Sequence, residues 1–414
     1  MPLQSFLSAH LLTPDAVDYA DMTARFVAAM SDGLAGRPGS VRMLPTYCYA
    51  DGHPALHTPV AVIDAGGTNF RSVLVTLTED GCRLEHLREQ AMPGTHGPVE
   101  WSHFIGFCAD ALEPLLMHTN RVGLCFSYPA APQPNRDSRV LQLTKQVQLL
   151  GAIDRPVCAD LNEELKKRGH RGLKFCLIND TLAVQYGVAA HHHIPVSETM
   201  GLVCGTGANT CCALPTDRIT KLSMQGSRPM LVNCESGAFD GVGGGTFDHL
   251  LHAQSVDPGQ YAHEKMVSGG YQGTLCLLAL QGAAAEGLFS PAAEALLDGL
   301  SALESRDADN MSGPLAALQG ADRDTADAII QAIFDRGAKI TCCCLTAIME
   351  LTDAGKTTPF SIGAEGSLFL KSRRFRDCLD RHMDAYTTGV LGRQYRFLTC
   401  PHTTFIGTAA AALL

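Results

Sequence analysis

Short apolar runs rich in β-branched residues recur along this chain, separated by longer segments whose apolar residues return every three or four positions. The first clear run is Val60-Ala61-Val62-Ile63; a second, Phe70 to Val75, follows after only a short polar turn. Two strands that close together predict a β-hairpin over 60–78. Further strands are predicted at Val122–Ser127, Leu173–Ile178, Thr199–Cys204 and Thr210–Leu214. Helical spacing appears at Thr13–Met30, near Val99–His118, at Ala159–Arg168 and at Thr181–Ala190. A long apolar helix is expected over 324–351, with Ile329, Ile330, Ile333, Ile340, Leu345 and Ile348, after an Ala/Gly/Ser-rich stretch of short helices at 280–325. Strands alternating with helices predict an α/β protein.

The turn between the first two strands reads Asp64-Ala65-Gly66-Gly67-Thr68-Asn69, with Arg71 just inside the second strand. Glycines without a Cβ let backbone N–H groups approach phosphate oxygens, and Thr68 and Asn69 add side-chain donors. Asp64 can hold a metal through water. No Lys follows the glycines and no helix opens there, so the segment is neither a P-loop nor a Rossmann turn. A plain Gly-Gly hairpin turn is the alternative. The theme repeats at Met200 to Cys212, where Gly205-Thr206-Gly207-Ala208-Asn209 joins two strands. This predicts an internal duplication: one phosphate-gripping hairpin per domain, closing on a nucleotide.

At 414 residues the chain exceeds one compact core, which predicts two domains. Hydrophobic residues make up 46% and charged residues 18%, and the formal net charge of −10 disfavours nucleic acid or an anionic membrane as partner. There is no apolar run of membrane-spanning length and no basic leader, so a soluble, cytoplasmic protein is expected. The 16 cysteines contain no C-x-x-C pair and fall in apolar segments, which reads as small buried hydrophobes in a reducing compartment. His191-His192-His193 reads as a solvated loop after a helix.

Several motifs then occur in order. They are Met43-Leu44-Pro45-Thr46; Asp64 to Arg71; Phe126-Ser127-Tyr128-Pro129; Thr144-Lys145; Asn179-Asp180-Thr181; Gly205 to Asn209; Asn233-Cys234-Glu235-Ser236-Gly237-Ala238-Phe239; and Glu264-Lys265-Met266-Val267-Ser268-Gly269. Taken singly they are weak. Asn179-Asp180-Thr181 could be a helix N-cap, and Glu264-Lys265 a solvated helix face. As an ordered set they resemble the hexokinase family, within the sugar kinase, actin and heat-shock ATPase superfamily, in a bacterial-type single-unit form. The last third is looser: Gly363-Ala364-Glu365-Gly366-Ser367 and Ile406-Gly407-Thr408-Ala409 resemble the family's adenosine-side turns.

The resemblance implies two actin-like ATPase (ribonuclease H-like) domains with a cleft between them. The smaller would span 58–188 and regain about 408–414; the larger would hold 1–57 and 189–407. It implies ATP and Mg²⁺ as cofactors and transfer of the γ-phosphoryl group to the 6-hydroxyl of a hexose, glucose first. Asp180 would be the general base, and Lys145 would offset charge near the sugar. Ser127, Thr144, Lys145, Asn179, Asp180, Asn209, Glu235 and Glu264 would hold the sugar hydroxyls. Asp64, Gly66, Gly67, Thr68, Asn69, Arg71, Gly205, Thr206, Gly207, Gly363, Gly366, Ser367 and Gly407 would serve the nucleotide, with Mg²⁺ held through water by Asp64 or Asp180. This chain departs from the family pattern at Ser236, where Trp is usual, at Glu365 in place of Asp, and at Phe405-Ile406 in place of Gly-Lys. The competing readings are a catalytically weak sugar sensor and a chaperone or filament ATPase. No DNA-binding module is visible for the first, and the second has no need of Glu235 and Glu264. A bacterial glucokinase of the ROK type would carry a Cys-rich zinc motif that is missing here.

Overall fold

The computed structural model describes residues 2–67, 69–143 and 147–414. Thr68, Thr144 and Lys145, three of the expected site residues, lie outside the described residues.

Two sheets organise the chain. The six-stranded sheet runs in the order β1-β13-β12-β11-β14-β15. Its strands are β1 (Leu44–Tyr49), β11 (Thr199–Cys204), β12 (Ala208–Pro215), β13 (Pro229–Asn233), β14 (Phe360–Glu365) and β15 (Tyr395–Leu398). The five-stranded sheet runs β10-β6-β2-β3-β4, from β2 (Pro59–Ala65), β3 (Asn69–Thr78), β4 (Gly81–Ala91), β6 (Arg121–Phe126) and β10 (Lys174–Ile178). Two small ribbons complete the set, β5 (Val99–Glu100) with β9 (Leu149–Leu150) and β7 (Ala130–Pro132) with β8 (Ser138–Val140).

The two sheets share one plan. β2, β3 and β4 form an antiparallel meander, and β6 and β10 then add in parallel on the β2 side. β11, β12 and β13 form a second meander, and β14 and β15 add in parallel on the β11 side. β1 extends the second sheet at its free edge. The duplication expected from the two Gly-containing hairpins is thus a duplication of whole sheets. The chemistry of the strands explains their placement. Val60 to Ile63 are all buried, as a strand central to a sheet covered on both faces must be.

Between the sheets lies the helix Asp180–His191. Every residue from Thr181 to Ala189 is buried, so the helix has no solvent face and must be sandwiched. It packs on β11, β12 and β14 on one side and on the C-terminal helix Thr403–Leu413. That second helix lies in turn across β2, β3, β6 and β10. Where the two helices cross, a Cβ on Gly187 would sit 2.5 Å from the Thr403 carbonyl oxygen, and one on Gly407 would sit 1.8 Å from that of Ala183. Only glycine lets these backbones touch.

The long apolar helix runs Gly320–Leu351, four residues earlier at its start than the pattern suggested. Arg336, 1% exposed, pairs from it bidentately with Asp248 at 2.7 Å for both bonds, and its Nη1 also donates to the Leu11 carbonyl. The expected helix near 99–118 is shorter, Trp101–Leu112. His191-His192-His193 is tied down more than a solvated loop would be. His192 and His193 hydrogen-bond the Thr399 and Glu79 carbonyls at 3.0 Å, while both remain exposed. Fifteen cysteines are buried and Cys82 is half-buried, all as free thiols.

Candidate active site

The carboxyl ends of three parallel strands meet at one point. Asp64 on β2 and Ile178 on β10 are both in register with Cys125 on β6. The residues that follow therefore gather there: Gly66, Ser127, Asn179 and Asp180. In open α/β sheets this edge is where ligands bind. Local bonds hold the loops in place. The Ser127 N–H donates to the Ala65 carbonyl at 3.2 Å, and the Tyr128 hydroxyl donates to the Gly66 carbonyl at 2.6 Å. The hairpin tip is closed by the Gly66 N–H on the Asn69 carbonyl at 3.1 Å, leaving Asn69 exposed.

Asp64 is buried, and its Oδ2 accepts from Arg71 across the hairpin. Burial pushes its carboxyl above the ordinary carboxylate range; Arg71 opposes this and the charge of Asp180 reinforces it. The Arg71 guanidinium also lies 4.9 Å from the centroid of the Phe405 ring. Phe405, one of the departures from the family pattern, thus covers the arginine of the first hairpin.

Asn179 is the N-cap of the sandwiched helix. Its Oδ1 accepts from the Thr181 N–H at 3.0 Å and from the Thr181 hydroxyl at 2.8 Å. The capping role weighed for this residue is therefore real. It places Asp180 at the first helical position, half-buried. Asp180 Oδ1 accepts from the Thr181 N–H at 2.8 Å.

A second cluster stands on the six-stranded sheet. Asn209 Nδ2 donates to Asn233 Oδ1 at 2.9 Å, and Asn233 Nδ2 donates to Glu235 Oε1 at 2.7 Å. Glu264 Oε2 accepts from the Ala208 N–H at 2.8 Å. Glu235 has φ 54°, ψ 41°, and Tyr261 has φ 57°, ψ 41°. Left-handed backbone at non-glycine residues costs on the order of 1–3 kcal/mol each and gathers at functional sites. Tyr261 adjoins both carboxylates: burial raises its phenol, and the charges of Glu235 and Glu264 add to this.

The second Gly-containing loop meets two others. The Gly205 N–H donates to the Gly207 carbonyl at 2.9 Å; Gly269 and Gly270 N–H groups donate to the Gly205 and Thr206 carbonyls at 2.7 and 3.1 Å. Gly366, with φ 108°, has no room for a Cβ, which would lie 2.5 Å from the Cys204 carbonyl. A Cβ on Gly205 would lie 3.1 Å from both Gly366 Cα and the Ser367 nitrogen. Three backbone loops converge in this corner, with Thr206 and Ser367 exposed at its surface.

Two expected nucleotide residues are elsewhere. Gly363 is inside β14, paired with Gly201 and Leu398, where a Cβ would lie 3.0 Å from the Val188 side chain. Gly407 is inside the C-terminal helix, against Ala183. The segment expected as a turn is helical because Thr403 to Leu413, with its run of four alanines, favours helix and is buried throughout apart from Thr404. Both glycines serve packing between elements. Conversely, Asn233, Tyr261, Gly269 and Gly270 were passed over as site residues. Asn233, Gly269 and part of the loop lay inside quoted motifs, whereas nothing in the sequence marks the left-handed backbone at Tyr261.

Family models described as hexokinase match residues 3–189 and 199–414. Hexokinase-2 of Equus caballus is 27% identical over 401 residues, covering 87% of this chain and 43% of its own length. Hexokinase of Emericella nidulans is 30% identical over 289 residues, covering 65% of this chain and 58% of its own length. The chain spans about half the length of the curated relatives it matches. Among solved structures, a hexokinase from Schistosoma mansoni complexed with glucose aligns with TM-score 0.82 at 20% identity, over 99% of this chain and 98% of that one. A ROK family glucokinase from Streptomyces griseus, in complex with glucose and AMPPNP, aligns at 0.52 and 16% identity, over 86% and 98%. The doubled sheet is therefore the actin-like ATPase fold, and with both halves matched by the same family description, the chain belongs to the hexokinase family.

Proposed function

We propose that this chain is an ATP-dependent hexokinase that transfers the γ-phosphoryl group to the 6-hydroxyl of a hexose, glucose first. The observation that carries the reading is the position of Asp180. It opens the helix shared by both sheets and is near enough to Asp64 for their charges to interact. Glucose is the sugar in the complexes of the Schistosoma and Streptomyces enzymes, which supports it as the first substrate to try.

In this reading a hexose bridges the clusters of the two sheets. Asn209, Glu235 and Glu264 accept from and donate to its hydroxyls on one side, and Ser127, Asn179 and Asp180 do so on the other, with Thr144 and Lys145 completing that side. Asp180 orients the 6-hydroxyl and takes its proton as the new bond forms, which is most of what phosphoryl transfer asks of a protein. Gly66, Gly67, Thr68, Asn69 and Arg71 would face the phosphates from the first hairpin. Gly205, Thr206, Gly207, Gly366 and Ser367 would do so from the second. The proposed lobes are 58–188 with 408–414, and 1–57 with 189–407.

The carboxylates present fit Mg²⁺. Asp64 and Asp180 repel one another, and a divalent cation beside them would relieve that repulsion. Among the described residues no cluster of three ligating side chains accompanies them, as suits an ion that keeps its waters and is bound through one or two carboxylates and substrate phosphates. When bound, it neutralises phosphate charge during transfer. Among the described residues no helix is long and apolar enough to cross a membrane, in keeping with a proposed cytoplasmic setting.

The test is ADP release with glucose, mannose, fructose and glucosamine in turn. The expected result is sugar-dependent turnover, highest with glucose. ATP turnover without sugar at the same rate, or none with any hexose, overturns the proposal.

A further inference from the structure

The two carboxylates of the second cluster stand on different segments. Glu235 precedes the short turn Ser236–Ala238, and Glu264 lies on the helix Ala262–Val267. Neither segment is a strand, so the ladder that fixes Asn209 opposite Val203 does not extend to them. His263 joins the two. Its Nδ1 lies 2.8 Å from the Ser236 carbonyl oxygen, and its backbone N–H donates to the Phe239 carbonyl at 3.0 Å. One residue thus holds both ends of the turn that follows Glu235, and the next residue along the chain is Glu264. The ring is 3% exposed and stands edge-on to Phe26 at 5.1 Å between centroids. A carbonyl only accepts, so Nδ1 carries the proton. Nε2 is then the bare nitrogen, and among the described residues it is buried without a hydrogen-bond partner. A second proton would find no acceptor there, and burial pushes the imidazole down to about 4. The ring is therefore neutral and held in one tautomer. Its acceptor, the Ser236 peptide, is where the cluster meets. The Ser236 N–H donates to Asn209 Oδ1 at 3.2 Å, and its hydroxyl accepts from that of Thr210 at 2.9 Å. Ser236, one of the departures from the family pattern, is itself fully buried.

We propose that His263 is a positioning residue for the hexose, setting Glu235 through the Ser236 carbonyl and Glu264 through its own place in the chain, so that both carboxylates meet one sugar. This rests on the sugar-site reading above. The action is restraint. Glu235 has φ 54°, a backbone conformation that persists only where its surroundings hold it. Without the bond from His263 the Ser236 peptide is free to turn, and Glu235 turns with it. Asn209 then loses the Ser236 N–H that orients its amide. Glu264 keeps its bond from the Ala208 N–H at 2.8 Å, so the loss falls chiefly on Glu235 and Asn209. Asp180 follows β10 of the other sheet and is untouched. Chemistry should therefore survive once sugar is bound, and binding should weaken.

The test is glucose binding by titration calorimetry, with kcat and the KM for glucose and for ATP, in the unaltered protein and three variants. His263→Leu keeps bulk and removes the donor. His263→Asn can place an amide N–H where Nδ1 stands, whereas His263→Gln carries its amide one bond farther, toward the Nε2 position. Kd and KM for glucose should rise at least about tenfold in His263→Leu and His263→Gln, through one buried acceptor left unpaired. In both, kcat should stay within about threefold and the KM for ATP should not move. His263→Asn should bring glucose affinity back to within about threefold of the unaltered protein. Unchanged glucose affinity in His263→Gln, no recovery in His263→Asn, or a kcat that falls as far as affinity overturns the proposal. Should His263→Leu fail to fold, the contrast between the two amides decides it. Glucose binding by the unaltered protein separates this role from the proposed function. If glucose binds and the variants bind it equally well, only the role of His263 falls; if no hexose binds at all, the sugar site and the positioning role fall together.

Discussion

Asp180→Asn separates proton acceptance from every other duty of that residue. The side chain is half-buried, and Oδ1 accepts from the Thr181 N–H at 2.8 Å. An amide oxygen keeps that bond. The N-cap is supplied independently by Asn179, so the helix should lose less than about 1 kcal/mol, the usual worth of one capping bond. What is lost is the base. A positioned base is worth about 10²–10⁴ in rate, or about 3–5.5 kcal/mol of barrier. Sugar affinity should fall less than about tenfold, since Asn209, Glu235 and Glu264 stand on the other sheet and are untouched. Removing the Asp180 charge should also let the Asp64 carboxyl move down toward its ordinary range, because that charge is one of the influences raising it. The measurements are kcat and KM by coupled ADP release, with thermal melting as the fold control. A kcat within tenfold of the unaltered protein refutes the role assigned to Asp180. A kcat loss matched by a large loss of melting temperature refutes the claim that the cap is preserved.

Gly407→Ala should lower stability by about 3 kcal/mol, the upper end for overpacking, because its Cβ would lie 1.8 Å from a backbone oxygen; a higher KM for ATP with unchanged melting would instead return Gly407 to the nucleotide. Gly207→Ala would put a methyl 2.6 Å from Glu264 Oε2, so KM for the hexose should rise about 10- to 100-fold through one displaced charged hydrogen bond, and an unchanged KM would remove Glu264 from the sugar site. Burial pushes His263 down to about 4, from an ordinary 6.5. Its folded pKa is the depressed one, so its contribution is complete above 6.5 and is lost as pH falls toward 4, on the order of 3 kcal/mol in all. Urea unfolding of His263→Gln should show a correspondingly shallower fall over that window, and parallel pH profiles would sink the assignment. Saturating glucose should reduce the radius of gyration seen by X-ray scattering, while ATP alone should change it little; an unaltered radius with sugar would count against closure.

What was legible in the sequence followed from strong local signals. β11 begins and ends where the expected strand Thr199–Cys204 does, and the β2–β3 hairpin follows its two apolar runs. Motif order singled out Asp180, Glu235 and Glu264 as candidate site residues without any geometry. Glycine is the residue hardest to place from sequence, because its meaning depends on what lies across from it. Gly366 needs its freedom for a φ of 108°, whereas Gly363 and Gly407 need only the space that a missing Cβ leaves beside Val188 and Ala183. Long-range partners such as Arg336 and Asp248, 88 residues apart in sequence, have no local signature. Nor do the left-handed backbones of Glu235 and Tyr261, since neither residue type announces positive φ.

The helix that begins at Asp180 answers to both sheets at once. Its residue 180 follows directly from β10 of the five-stranded sheet, through Asn179. Its first turn is nevertheless gripped by the other sheet. The Cys211 thiol donates to the Thr181 carbonyl and to Gln185 Oε1, both at 3.0 Å, and a Cβ on Gly201 would lie 2.3 Å from that same carbonyl. Gln185 Nε2 donates to the Val196 and Thr199 carbonyls at the entry to β11. A shift of either sheet therefore bears on the position of Asp180, because packed interiors transmit displacement and do not absorb it. A hexose held by Glu235 and Glu264 on one sheet and by Ser127 on the other would fix the separation that sets this helix. Water, which cannot bridge the two clusters, would leave it unset. The same geometry gives a kinase a reason to wait for sugar before its base is aligned with the phosphate.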